Sequence, residues 1–221
     1  MILRPTASIE DWREFLAKPD LHWKPGRSAM ETAHAWEQAQ GLPPEIAELF
    51  PEGTELLLAI PEYKVPLPGG ARDSQNDVFA LLAEGNSLIA CMVEAKRDEP
   101  FGPTLADWQG GGGAGKNQRL AALTEILCLD PAVLVPDIRY QLVHRAASAV
   151  LTARRFRTRR AAMVVQSFSS EHRWFEDYSR FVALFGMPAE RNRIVTAQLH
   201  DEMELSFGWA RAPIRTEAIT T

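Results

Sequence analysis

Cysteine is scarce in this 221-residue chain: only Cys91 and Cys128 occur, both inside apolar segments. Two thiols build neither a disulfide scaffold nor a four-thiolate zinc site, and the expected compartment is a reducing cytoplasm. Long hydrophobic runs are missing, and none approaches the ~18 residues of a membrane span, so no membrane partner is expected. Residues 1–16 already carry Glu10, Asp11 and Glu14, which fits neither a signal peptide nor a basic transit peptide. The five histidines (His22, His34, His144, His172 and His200) have no metal-ligand spacing, which argues against a zinc enzyme. No Gly-x-Ser-x-Gly occurs, so the serine-hydrolase elbow is absent. No repeat or extended low-complexity stretch is present.

What remains is an ordinary folded composition. Hydrophobic residues make up 46% and charged residues 24%, which excludes global disorder. The net charge of −5 argues against non-specific coating of nucleic acid. Acidic residues are nevertheless absent from 138–170, a window holding Arg139, Arg145, Arg154, Arg155, Arg157, Arg159 and Arg160. That window reads either as a solvated helix end and loop or as a phosphate-contacting surface.

Hydrophobic spacing predicts a short helix over 9–18. A second helix is expected from Ser28 to about Gln40, with Ser28 as N-cap and Glu31 completing a capping box. Pro43 and Pro44 open another short helix ending near Phe50. Strands are expected over 54–60, 77–83 and 88–96, with Gly85-Asn86 as a two-residue hairpin turn. Five glycines over 110–115 make a loop. Helices follow over 117–129 and 138–155, then a strand over 161–168, a helix over 171–185 and strands over 194–200 and 204–209. Strands and helices that do not strictly alternate imply one α/β domain spanning 1–221, with a central mixed sheet flanked by helices.

Chemistry concentrates on the predicted hairpin. Glu94 and Lys96 stand two residues apart on an apolar strand and therefore share one face. A two-residue turn at Gly85-Asn86 sets Asp77 directly opposite Glu94. Facing carboxylates repel unless one is protonated or a cation lies between them. A hard divalent ion with oxygen ligands, Mg²⁺ or Mn²⁺, answers that need. With Lys96 alongside, the set suits metal-assisted phosphodiester hydrolysis. The competing reading is a salt-bridged sheet rim in which Lys96 only neutralises a carboxylate.

Asp77 followed by Glu94-Ala95-Lys96 on the next strand resembles the PD-(D/E)xK nuclease superfamily. Ser74-Gln75-Asn76-Asp77-Val78 and Val93–Gly102 also resemble a bacterial family of uncharacterised proteins placed in or near it, as do Arg139-Tyr140-Gln141-Leu142, His144-Arg145 and Arg173-Trp174-Phe175. The resemblance implies a restriction-endonuclease-like fold and a Mg²⁺-dependent nuclease-like phosphodiesterase acting on DNA or RNA. It assigns Asp77 and Glu94 to metal and catalysis, the Ala95 carbonyl as a third ligand, and Lys96 to orienting the attacking water. In that superfamily an earlier helix often adds a glutamate, and Glu31 is the position that carries over; its capping role competes. Asn76 stands where the superfamily motif has proline. The alternative is a non-catalytic binding or regulatory protein that keeps the nuclease fold.

Three further signals surround this core. Residues 110–117 match a phosphate-binding loop except at the end, where Asn117 replaces the Ser or Thr that would bind Mg²⁺, and no buried strand precedes them. The stretch is expected to be a mobile loop without bound nucleotide, with Lys116 available to a phosphate at a helix N-terminus. Gln141, Arg145 and Ser148 form a polar stripe at helical spacing, either lending Gln141 and Arg145 to the substrate site or merely facing solvent. Trp23 and Trp108 read as packing residues or as platforms for bases.

Overall fold

The computed structural model describes residues 6–110 and 112–216. A 3₁₀ helix at Ile9–Phe15 leads into α1 (Pro19–His22), α2 (Ser28–Ala39) and α3 (Pro44–Ala47). The meander β1 (Glu55–Val65), β2 (Ser74–Glu84) and β3 (Ser87–Lys96) follows. Then come α4 (Leu105–Gln109), α5 (Ala114–Leu127), α6 (Tyr140–Arg155), β4 (Arg160–Ser167), α7 (Phe175–Ala183), β5 (Ile194–Gln198) and β6 (Glu204–Arg211). The strands form one mixed sheet in the order β1-β2-β3-β4-β6-β5. β3, β4 and β6 run parallel at its centre, and the pairs β1/β2, β2/β3 and β5/β6 are antiparallel.

Strand alternation sorts the side chains into two cores. Phe79, Leu81, Ala90, Met92, Met163, Val165 and Phe207 pack beneath α5, α6 and α7. Val78, Ala80, Leu82, Cys91, Val93, Ala95 and Val164 face the other way, against Trp12, Ala33, Trp36, Ile46 and Leu49. Each large apolar side chain fully buried this way contributes about 1.5–3 kcal/mol. Helix α6 lies on the first face because Leu142, Ala146, Val150 and Ala153 recur at its spacing and are all inaccessible to solvent. Gly208 lets the second layer close in, since a Cβ there would sit 2.7 Å from Leu49. One α/β domain with a six-stranded mixed sheet flanked by helices is therefore present.

The structure departs from the sequence expectations in instructive places. β1 continues through Pro61 to Val65, because an edge strand tolerates a residue without an N–H donor. Helix α5 starts at Ala114, inside the expected glycine loop; Gly111 lies outside the described residues. The capping box at Ser28 and Glu31 does not form: Arg27 is the N-cap residue, no side chain caps it, and Glu31 turns elsewhere.

Candidate functional site

The hairpin register is as the turn dictates: Glu84 pairs with Ser87 and Val78 with Val93. One step further, Asp77 replaces the ladder with its side chain, and its Oδ2 accepts the Ala95 amide at 2.6 Å. β2 thus parts from β3, while β3 goes on pairing with β4 as far as Lys96 opposite Ser167. This fork is where the charged groups collect.

Glu94 is 2% exposed and saturated with donors. Its Oε1 accepts from Lys96 Nζ and from Gln141 Nε2 at 2.7 Å, and its Oε2 accepts from Arg145 Nε at 2.5 Å. Lys96, also buried, donates to the Ala95 carbonyl at 3.2 Å and lies 5.2 Å from the Phe101 ring centre. Arg145 Nη1 donates to Ser74 Oγ at 2.8 Å, and Ser74 Oγ lies 2.8 Å from His144 Nδ1. Arg145 Nη1, which can only donate, also lies 3.4 Å from His144 Nδ1, so Nδ1 is an acceptor and the Ser74 hydroxyl donates to it.

The electrostatics differ sharply between neighbouring carboxyls. Burial raises the pKa of Glu94, but Arg145 and Lys96 outweigh it and hold the group below its usual range. Burial followed by repulsion from Glu94 and Glu62 pushes Asp77 well above its usual range, against Lys96 and Arg145. Burial also pushes Glu62 up to about 7, opposed by a hydrogen bond from Gln75 Nε2 at 2.5 Å and by Arg145. Burial and the Arg145 charge hold His144 well below the usual histidine range, so it is neutral.

Asp77, Glu94, Lys96, Gln141 and Arg145 are thus brought together. Glu31 is not among them. Its carboxylate is fully buried and accepts from the amides of Arg215 and Thr216, at 2.7 and 3.3 Å, and from the Thr216 hydroxyl. Arg97 lies 3.6 Å from it, one residue past Lys96 and hence on the opposite strand face. The metal-ligand role expected of Glu31 is corrected on that ground: the group clasps the chain's last described residues. Ser148 is also outside the cluster, because its hydroxyl bonds back to the His144 carbonyl at 2.7 Å. Lys116 sits on the far side of an adjoining cleft, with Nζ 3.3 Å from the Gly110 carbonyl.

Glu62 is the residue that sequence reasoning missed. Pro61 looks like the end of a strand, so position 62 falls into an apparent loop. The structure keeps it in β1 with φ of +51°, a left-handed value that is uncommon for a residue with a side chain. Strain of this kind collects at functional sites. Its raised pKa has a definite sign in stability. The folded value of about 7 exceeds the ordinary 4.5, so folding loses stability as pH rises between them, and the loss is complete above pH 7. Glu62→Gln keeps the acceptor for Gln75 and is expected to stabilise the protein by about 2 kcal/mol at pH 8, with no gain at pH 4, in chemical denaturation. Equal stability of the two proteins at pH 8 would contradict the assignment.

Four of the seven arginines of the 138–170 window are taken up in ion pairs, and Arg155 donates to the Tyr63 hydroxyl at 3.4 Å. Arg139 pairs with Asp177, Arg145 with Glu94, Arg159 with Glu202, and Arg160 with Glu84 and Glu204. Among the described residues no helix is long and apolar enough to cross a membrane, and no group of three or more His, Cys, Asp or Glu side chains is drawn close enough to hold a metal ion. No curated protein and no solved structure matches the chain. A family model does match, over residues 5–214, and with nearly the whole domain covered the chain belongs to that family, described as a domain of unknown function, DUF6946.

Proposed function

We propose that this domain is a Mg²⁺- or Mn²⁺-dependent phosphodiesterase of restriction-endonuclease-like fold that hydrolyses nucleic-acid phosphodiester bonds. One observation carries the reading: the β2/β3 fork gathers Asp77, Glu94 and Lys96 on one sheet face, with Glu62 within electrostatic reach. The donor set suits a hard cation, being carboxylate oxygens with the Ala95 carbonyl beside them. Burial and neighbouring carboxylates push Asp77 well above its usual range and Glu62 up to about 7, a crowding of negative charge that a divalent ion relieves. Asp77 and Glu94 would hold it, in place of the set containing Glu31, with Glu62 adding negative charge from β1. When bound, the ion supplies positive charge to the scissile phosphate and acidifies nearby water.

The chain's own groups do the rest. Arg145 and Gln141 fix the Glu94 carboxylate from both oxygens, which sets the direction in which it presents charge. Lys96 Nζ meets Glu94 Oε1 and the Ala95 carbonyl, and its flexible stem lets the ammonium turn from there to orient the nucleophile and stabilise charge on the phosphate oxygens. The second reading, a non-catalytic domain on the same fold, draws on the saturation of Glu94 by Lys96, Arg145 and Gln141, an arrangement already neutral without a metal.

Isothermal titration of Mn²⁺ into the wild type and into Asp77→Ala separates the two. The expected result is stoichiometric binding that disappears in the variant. Absence of binding in both proteins would favour the non-catalytic domain.

A further inference from the structure

A cleft of about 700 Å³ adjoins the carboxylate cluster, bounded by the β1–β2 connection, the first turns of α5 and α6, and Trp108. Its polar and aromatic lining differs from that of an ordinary packing void. Trp108 and Tyr140 stack with ring centres 3.9 Å apart and planes 11° from parallel. Lys116 Nζ lies 5.9 Å from the Trp108 ring centre. Arg119, 5% exposed, is anchored by a 2.9 Å bond from Nη1 to the Arg72 carbonyl. The wall against it is closely packed: Gly69 holds φ of +78°, and a Cβ there would lie 2.5 Å from the Arg119 Cα. Three cations, Arg72, Lys116 and Arg119, face one acid, Asp73.

His144 joins the cleft to the proposed active site. Its Nδ1 accepts from Ser74, so the neutral ring keeps its proton on Nε2, and the residue lines the cleft. A chain of contacts therefore runs from Glu94 through Arg145, Ser74 and His144 to the cleft. An aromatic stack beside the buried Arg119 and the half-buried Lys116 is the equipment for an unpaired base and its phosphate. Duplex DNA presents no free base face with which to extend such a stack.

We propose that this cleft binds an unpaired nucleotide of a single-stranded nucleic acid, its base extending the Trp108–Tyr140 stack and its phosphate meeting Lys116 and Arg119. The inference rests on the phosphodiesterase reading for the class of ligand and identifies the substrate as single-stranded. The test is fluorescence anisotropy of labelled DNA and RNA strands of about ten nucleotides, and of the matching duplexes, with EDTA present so that cleavage plays no part. A mononucleotide serves as competitor, and Mg²⁺-supported cleavage is assayed in parallel. The wild type is expected to prefer single strands. Trp108→Ala is expected to weaken binding about tenfold, Trp108→Phe to restore it, and Lys116→Glu to weaken it further. Circular dichroism checks that each variant is folded.

Equal or tighter binding of duplex, no binding of either strand, or wild-type affinity in both Trp108→Ala and Lys116→Glu would overturn the proposal. Competition by the mononucleotide alone, with the strand left unbound, would also overturn it. Single-strand binding without any cleavage in Mg²⁺ keeps the cleft and removes the phosphodiesterase. Cleavage without the single-strand preference does the reverse.

Discussion

Lys96→Met is expected to lower phosphodiester cleavage by about 10²–10⁴-fold while leaving both the fold and Mn²⁺ binding in place. The fold survives because Glu94 keeps Arg145 on one oxygen and Gln141 on the other. The methionine fills nearly the same space beside Phe101, whose ring centre lies 5.2 Å from the lysine ammonium. Two roles for the lysine make opposite forecasts. If it only balances charge, its loss leaves excess negative potential at the fork, so Mn²⁺ affinity rises and any cleavage persists. If its ammonium acts on the nucleophile and the phosphate, cleavage collapses at unchanged Mn²⁺ affinity. The second outcome is expected, because Lys96 shares a strand face with Glu94 and its ammonium is already at the cluster. Parallel Mn²⁺ titration and cleavage assays on single-stranded substrate decide it, and full activity in the variant would remove Lys96 from the mechanism.

The hairpin was legible because its information is local. A Gly-Asn turn and the two-residue alternation of its strands are enough to bring Asp77 beside Glu94. Gln141 and Arg145 were legible as a stripe, since helical spacing puts both on one side of α6. Glu31 was misread for the opposite reason. Its partners, Arg215 and Thr216, lie 184 and 185 residues away in sequence, and no local pattern announces such a contact. The capping-box pattern at Ser28 pointed in a wrong direction as well, because burying that carboxylate against Arg97 and two distant amides satisfies it more fully than one helix-end amide does. Glu62 was hidden by Pro61, whose breaker signal holds in central strands and fails at a sheet edge. The arginine window shows the limit of counting charge along a chain. Acids absent from 138–170 arrive from Glu84, Glu94, Asp177, Glu202 and Glu204 once the sheet assembles.

Arg145→Leu is expected to destabilise the protein by about 3 kcal/mol at neutral pH, the lower end of the cost of breaking a buried pair, because Lys96 still meets the other Glu94 oxygen. Both partners are nearly inaccessible, with Glu94 2% and Arg145 6% exposed, so water cannot take over the lost interaction. Ser74 also loses its donor, and the link to His144 goes with it. The pH dependence identifies the cause. In the wild type Glu94 sits below its ordinary 4.5, so it adds stability above that pH, and the stability is lost as pH falls through the folded value. Without Arg145 burial prevails and the folded value rises above 4.5. Stability then falls as pH rises through that window, so the deficit of the variant should widen from about pH 4 to neutrality and close in acid. Adding Glu94→Gln to Arg145→Leu is expected to recover most of the loss, because a neutral amide needs no buried cation. Urea denaturation across this pH range reads all three proteins. A deficit that is the same at every pH, or that the second substitution leaves in place, would mean that Arg145 contributes through packing alone and that Glu94 is not held ionised by it.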